Sequence, residues 1–191
     1  MRGPRHKQKK TGFEIVEKYE VFDSMSEDNI VRKIAVIFVT DVVGFSKLME
    51  KNEEQTLRSF RACKEILDNL FDEHGGRIFN TAGDSVLAEF QSAVSAVICA
   101  SEFQKLIKQR NAALDDEDAQ MRFRVGINMG DVIVEDQNLY GDGVNVAARL
   151  EALAQPDSVC LSKGVHDFVG QKVELNFTDI GDQQVKNTIV R

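Results

Sequence analysis

The stretch Ile34-Ala35-Val36-Ile37-Phe38-Val39-Thr40-Asp41-Val42-Val43-Gly44-Phe45-Ser46 decides the fold of this 191-residue chain. Its first six residues are an unbroken apolar run, rich in β-branched side chains, which predicts a buried strand over 34–39. Asp41 follows, and a glycine turn then leads into a short helix over 45–49. A carboxylate between a buried strand and a helix start is a natural place for a metal and a phosphate. Taken alone, Asp41 could equally end the strand or cap the helix.

The segments beyond this stretch alternate between helix-like and strand-like patterns. Asn52 and Gln55 form a capping box that predicts the start of a long helix, which ends at Gly75-Gly76. Two hairpins are predicted, one turning at 82–85 and the other at 129–131. The remaining segments are helices over 92–111 and 144–154, a strand over 159–162, a short helix near Val165 and a strand over 173–177. This order predicts an α+β fold of the ferredoxin-like (split βαβ) type, with a mixed, mostly antiparallel sheet and helices mainly on one face.

The composition predicts one domain, because 42% of the residues are hydrophobic and no long segment is polar throughout. We expect a basic tail and linker over 1–31 and a folded domain over 32–191. Cys63, Cys99 and Cys160 lie far apart in apolar segments, which indicates buried small side chains in a reducing compartment and no zinc site. No apolar run reaches the length of a membrane span, and no signal peptide is recognisable, so we expect a cytoplasmic domain without a membrane segment.

The charge distribution argues against nucleic acid as a partner. The net charge is −7, although the first ten residues carry a cluster of basic side chains, namely Arg2, Arg5, Lys7, Lys9 and Lys10. The rest of the chain is therefore more acidic than the total suggests, and an acidic body repels a phosphate backbone. The basic tail could contact nucleic acid or anionic lipid, but such a run is typical of a solvated leader.

A second carboxylate, Asp84, lies at the tip of the first predicted hairpin, after Gly83. On its own it is an ordinary turn residue. The predicted topology, however, makes this hairpin a sheet neighbour of the strand that precedes Asp41, so the two carboxylates would meet at one end of the sheet. Two like charges brought close together are unfavourable unless a cation binds them, which points to Mg²⁺ or Mn²⁺.

A third feature is the pair Asn145 and Arg149, which lie four residues apart on one face of a predicted helix. Most of their neighbours are apolar, so each of the two side chains must be exposed to solvent, paired with another polar group or engaged in binding a ligand. Arg149 could pair with Glu151 or another surface acid. Alternatively, Arg149 binds a phosphate and Asn145 orients a ligand by hydrogen bonding.

Four motifs together resemble the catalytic domain of class III adenylate and guanylate cyclases, in order and over roughly 33–189. They are Phe38-Val39-Thr40-Asp41-Val42-Val43-Gly44-Phe45-Ser46, Asn80-Thr81-Ala82-Gly83-Asp84, Phe123-Arg124-Val125-Gly126-Ile127-Asn128-Met129-Gly130 and Tyr140-Gly141-Asp142-Gly143-Val144-Asn145-Val146-Ala147-Ala148-Arg149. The resemblance implies the class III cyclase fold and a catalytic domain over 32–191.

The resemblance also implies roles for individual residues. Asp41 and Asp84 would hold two Mg²⁺ or Mn²⁺ ions, with the Val42 carbonyl as a further ligand. The residues implied to contact the substrate or the reacting phosphorus are Val43, Gly44 and Phe45 in the turn, Arg124 and Lys186 on the phosphates, Asn145 on the ribose and Arg149 on the pentavalent phosphorus. In the family the metal-binding group and the Asn–Arg pair come from opposite subunits, which implies a homodimer.

The implied reaction converts a nucleoside triphosphate into a cyclic nucleotide and pyrophosphate, and it needs no protein nucleophile. Asn80 and Asn138 stand where the family chooses its purine, and an amide can serve adenine or guanine. Similarity to bacterial adenylate cyclase domains favours ATP over GTP. The alternatives are a guanylate cyclase and a silent nucleotide-binding signalling domain. A diguanylate cyclase is disfavoured because 82–85 lacks its Gly-Gly-Asp/Glu-Glu-Phe hairpin, and a polymerase palm would leave Asn145 and Arg149 unexplained.

Overall fold

A computed structural model describes residues 30–183, apart from the Asp118 side chain, and the backbone of 184–185 and 188–190. Within that part of the chain, no helix is long and apolar enough to cross a bilayer. The elements in chain order are β1 (Val31–Val42), α1 (Phe45–Lys51), α2 (Glu53–His74), β2 (Gly76–Ala82), β3 (Ser85–Phe90), α3 (Ala93–Ala112), a 3₁₀ turn (Glu117–Ala119), β4 (Phe123–Glu135), β5 (Asn138–Tyr140), α4 (Asp142–Leu153), β6 (Ser158–Leu161), α5 (Lys163–Val169), β7 (Gln183–Val185) and β8 (Thr188–Val190).

The main sheet has the strand order β2-β3-β1-β4-β5, and β6 pairs in parallel with the beginning of β4. The central strand β1 runs antiparallel to both of its neighbours, β3 and β4. Strands β7 and β8 form a separate antiparallel pair. The predicted α+β fold with a mixed sheet is confirmed, and the sheet neighbours expected for the first hairpin are the ones observed.

The prediction of a hairpin turn at 129–131 is wrong, because β4 continues without a break through these residues. Gly130 pairs with Ala35 and Asp131 with Ile34, so the long partner strand β1 keeps this part of β4 extended. The chain turns later, at 136–137, where Asp136 adopts a φ of 53°. The short strand β5, which the sequence analysis did not predict, begins directly after this turn.

The strand predicted over 173–177 is also absent, since residues 174–180 lie outside any helix or strand. Val173 and Phe177 instead pack against the core cluster beneath the helices. The Phe177 ring lies edge-on to His166 of α5, with ring centroids 5.0 Å apart. An apolar alternation forms a strand only where a partner strand supplies a hydrogen-bonding ladder, and no strand in the described part of the chain pairs with these residues.

The two faces of the sheet carry different helices. Alternate residues of β1 point to opposite faces, so Val36 and Phe38 pack with α2, α3 and α5, whereas Ile37 and Val39 pack in the cluster that contains Ala147 of α4. Most of the described helices therefore lie on one face, as predicted, and α4 is the one among them that lies on the other. The same alternation places Asp41 on the face that α4 covers.

Local signals in the sequence set the helix boundaries correctly. The Asn52 side chain accepts a hydrogen bond from the Gln55 amide at 3.1 Å, and Ser92 caps α3 in the same manner. Gly75 ends α2 with a φ of 74°, and Gly83 turns the first hairpin with a φ of 63°. Glycine adopts these left-handed conformations without steric cost.

The three cysteines are buried and unpaired, as predicted. Burial raises the pKa of Cys63 to about 11 and of Cys99 to about 12, and it also raises the pKa of Cys160. Because the thiolate is the reactive form, we expect a thiol reagent at pH 8 to modify the folded protein about 100-fold more slowly than the urea-unfolded chain. Rapid modification of even one thiol under native conditions would contradict this burial.

Candidate active site

The two aspartates singled out by the sequence lie at the same end of the sheet. Asp41 is near the end of β1, and Asp84 occupies the turn between β2 and β3, the strand that pairs with β1. The Val42 amide donates a hydrogen bond to Asp84 Oδ2 at 3.1 Å. The Ser85 hydroxyl donates to Asp41 Oδ1 at 2.6 Å. The predicted meeting of the two carboxylates is therefore present within one chain.

The electrostatics of this pair favour a cation. Partial burial, and next the neighbouring Asp41 charge, raise the pKa of Asp84 above its usual value. The folded chain thus holds a proton on Asp84 more tightly than the unfolded chain does, and the associated stability is lost as the pH rises through this raised pKa. A cation bound between the carboxylates would relieve the repulsion.

The donor set fits a magnesium or manganese ion that shares its ligands with a substrate. No group of three or more metal-type side chains occurs in the described part of the chain. Mg²⁺ commonly uses one or two carboxylates and takes its other ligands from water and phosphate oxygens. Asp41 and Asp84, together with a main-chain carbonyl such as that of Val42, meet this requirement.

Arg124 lies beside the carboxylates, directly opposite Asp41 in the β1–β4 register. Its Nη2 atom is 3.3 Å from Asp41 Oδ2, and its Nε atom is 2.9 Å from Glu151 Oε1 on α4. Its side chain is 29% exposed, so part of it is accessible to solvent. A guanidinium in this position can bind a phosphate that reaches the two aspartates.

One alternative left open by the sequence paired Arg149 with Glu151 or another surface acid, but Glu151 is not a surface residue. The residue is buried, with only 8% of its surface exposed, and it faces Arg124. Burial raises the pKa of Glu151, Arg124 opposes the rise, and the charges of Asp41 and Asp84 add to it. The sequence contained one signal of this burial. Glu151 lies four residues after Ala147 and one residue after Leu150, and both of these lie on the buried side of α4.

The beginning of α4 is fixed to β4 by a second residue to which the sequence analysis gave no role. The buried Asn128 side chain donates a hydrogen bond to the Gly143 carbonyl at 2.9 Å. A Cβ atom on Gly143 would lie 2.8 Å from the Asp131 carbonyl oxygen, so only glycine fits this approach. The glycine loop therefore sets the position of the helix that carries Asn145.

Asn145 and Arg149 lie on the side of α4 that faces away from its own sheet. The buried residues of this helix are Gly143, Ala147, Leu150 and Glu151. At 3.6 residues per turn, Asn145 and Arg149 are more than about 120° around the helix from the middle of that stripe. Asn145 is exposed and Arg149 is half-buried. One chain thus brings Arg124 and Glu151 to the aspartates but directs Asn145 and Arg149 outward.

The two asparagines to which the family resemblance assigns purine selection belong to strands that approach each other. Asn80 is exposed on β2, and Asn138 is half-buried at the start of β5. Although β2 and β5 lie at opposite ends of the strand order, Arg77 Nη1 donates to the Gln137 carbonyl at 2.9 Å. Leu139 follows Asn138, and Phe79 precedes Asn80. Leu139 and Phe79 belong to the same core cluster.

Residues of the turn after β1 already make contacts with other parts of the same chain. The Val43 amide donates to the Arg122 carbonyl at 2.8 Å, so a substrate contact by Val43 would have to use its carbonyl or side chain. Gly44 adopts a φ of 71°, and the Phe45 ring packs against Phe60 with centroids 5.4 Å apart. Lys186, the remaining predicted substrate-binding residue, lies outside the described residues.

Comparisons with known proteins, by sequence and by structure, point to a single family. The family model of the adenylate and guanylate cyclase catalytic domain matches residues 25–190. A putative adenylate cyclase 3 of Rhizobium meliloti is 46% identical over 164 residues, which are 85% of this chain and 28% of that protein. An adenylate/guanylate cyclase/hydrolase structure from Silicibacter pomeroyi superimposes with a TM-score of 0.79 at 39% identity, covering 85% of this chain and 96% of that one.

The adenylyl cyclase CyaB from P. aeruginosa shares the fold, with a TM-score of 0.71 at 23% identity over 84% of this chain and 92% of that one. The chain belongs to the adenylate and guanylate cyclase catalytic domain family. It spans less than a third of the length of the Rhizobium relative. Family membership is thereby established for the domain.

Proposed function

We propose that this domain is a nucleotidyl cyclase that converts ATP into cyclic AMP and pyrophosphate at the interface of a homodimer. The observation that carries the proposal is the carboxylate pair Asp41 and Asp84 with the Arg124 guanidinium 3.3 Å from Asp41. This arrangement offers a cation site and a phosphate-binding cation side by side. A triphosphate with its metal ions requires both.

The chain's own residues supply binding and charge stabilisation. Divalent ions held by Asp41 and Asp84 would activate the ribose 3′-hydroxyl and neutralise the triphosphate. Arg124 binds the distal phosphates and keeps their charge in place as pyrophosphate leaves. Arg149 donates to the oxygens around the α-phosphorus, where charge increases in the transition state. Asn145 orients the ribose, and Lys186 adds a further cation on the phosphates.

The outward direction of Asn145 and Arg149 supports a shared site. Since these side chains lie on the side of α4 opposite to Glu151 and the sheet, they are placed to serve the aspartates of a second copy. A closed twofold dimer would then contain two equivalent sites, each with the aspartates of one subunit and the Asn–Arg pair of the other. An isolated subunit would have no complete site.

A mixing experiment tests the shared site. Asp41→Ala and Arg149→Ala proteins should each be inactive, whereas a mixture refolded at equal amounts should regain about a quarter of the wild-type turnover. This fraction follows because half of the dimers would be mixed, and each mixed dimer would keep one of its two sites intact. If the mixture stays inactive although mixed dimers form, the shared-site proposal is wrong.

The preference for ATP is supported by the Rhizobium relative, whose name describes an adenylate cyclase. The amide side chains of Asn80 and Asn138 can donate to and accept from either purine, so a guanylate cyclase is the second candidate. The test is product formation from ATP and from GTP, each with Mg²⁺ and with Mn²⁺, resolved by chromatography. Predominant cyclic GMP would establish the second candidate. A folded dimer that binds nucleotide without forming either product would indicate a silent signalling domain.

A further inference from the structure

We infer that Glu151 is a positioning residue that holds the Arg124 guanidinium toward the triphosphate while Asp41 is engaged with a metal ion. The inference rests on the proposed function, because it assigns Arg124 to the distal phosphates. The inference goes beyond that function because it assigns a role to Glu151, a buried acid that lies outside the four sequence motifs.

Arg124 lies between two carboxylates from different elements. Asp41 of β1 is 3.3 Å from its Nη2 atom, and Glu151 of α4 is 2.9 Å from its Nε atom. Asp41 is the carboxylate that a metal ion would use. Once Asp41 shares its charge with a cation, its attraction for the guanidinium falls and the nearby positive charge repels Arg124. Glu151 is then the carboxylate that continues to hold the arginine.

The close approach of the α4 backbone to β4 brings Glu151 to Arg124. Arg124 and Gly126 point to the same face of β4, the face that α4 covers. A Cβ atom on Gly126 would lie 2.2 Å from the Glu151 amide nitrogen and 2.3 Å from the Ala147 carbonyl oxygen. Only a glycine at this position lets α4 approach near enough for the Glu151 carboxylate to reach Arg124.

Charge and proximity hold Arg124 and Glu151 together. Arg124 Nε and Glu151 Oε1 are both buried, and neither makes a hydrogen bond of normal geometry among the described residues. The contact at 2.9 Å is therefore an ion pair. The Nη2 atom, 3.3 Å from Asp41 Oδ2, lies on the side of the guanidinium that a phosphate beside the carboxylates would contact.

The test is a double-mutant cycle with Glu151→Gln, Arg124→Ala and the combined variant. If Glu151 acts through Arg124, E151Q should raise the KM for the triphosphate about tenfold while lowering kcat less. Adding E151Q to R124A should then have almost no further effect. Additive losses of E151Q and R124A would overturn the inference, since they would mean that Glu151 acts independently. Glu54→Gln, which removes an exposed acid paired with Arg58, is the matched control and should leave both constants unchanged.

Nucleotide binding separates this inference from the proposed function. Equilibrium binding of a fluorescent nucleoside triphosphate with Mn²⁺ should weaken about tenfold in E151Q, whereas the corresponding monophosphate, which lacks distal phosphates, should bind equally to both proteins. An equal loss for both nucleotides would overturn the inference. If the wild type forms no cyclic nucleotide, the proposed function fails while this comparison still decides the role of Glu151. If E151Q does not fold, Glu151→Asp replaces it, and an unchanged triphosphate affinity in that folded variant would overturn the inference.

Discussion

Replacement of Asp41 by asparagine is expected to lower the turnover of the cyclase reaction by about 1,000-fold or more, because it removes one of the two carboxylates proposed to hold the metal ions. The fold should survive, since Asp41 is partly exposed and asparagine keeps its size. Its loss also removes the neighbouring charge that raises the pKa of Asp84. Turnover is measured as cyclic nucleotide formed with Mn²⁺, and the fold by thermal unfolding.

The metal provides an independent readout for this substitution. Mn²⁺ should raise the melting temperature of the wild-type protein and should have much less effect on Asp41→Asn, because a ligand stabilises the folded state only as far as it binds. Asp68→Asn is a suitable control, since Asp68 forms a surface pair with Lys64 on α2. Appreciable turnover in Asp41→Asn, or an equal metal response in both proteins, would exclude Asp41 as a ligand.

Replacement of Gly126 by alanine is expected to destabilise the domain by about 3 kcal/mol or more and to abolish turnover. The added Cβ would lie within 2.3 Å of two backbone atoms of α4 and 2.8 Å from the Glu151 Cα. Backbone atoms cannot move aside as a flexible side chain can, so α4 would have to shift away from β4. That shift would displace Asn145, Arg149 and Glu151 together. Chemical denaturation measures the loss of stability.

Gly164→Ala provides the matched control for this substitution. Gly164 lies in α5, and a Cβ atom there would meet nothing within 4 Å. Alanine favours a helix more than glycine does, so this change should be neutral or stabilising by up to about 1 kcal/mol. If Gly126→Ala proves as harmless as Gly164→Ala, α4 does not pack on β4 as closely as the structure indicates.

The candidate site could be predicted from the sequence where its residues act through neighbours in the chain or through a recognisable motif. Asp41 follows a β-branched run and Asp84 lies in a glycine turn, and the structure places both at one end of the sheet. Glu151 could not be recognised in the same way, because its partner, Arg124, lies on another element. Its burial follows from the approach of α4 to Gly126, which is a property of the packed domain.

The amino-acid sequence by itself determined the class of fold, the ends of the helices at Asn52, Gly75 and Ser92, and the family to which the chain belongs. These features depend on hydrophobic periodicity, on capping contacts within three or four residues, and on the conformational freedom of glycine. Only the tertiary structure decided that β4 continues through Gly130, that Glu151 pairs with Arg124, and that Asn145 and Arg149 face outward. Each of these depends on which distant segments pack or pair together, and a local pattern does not specify its distant partner.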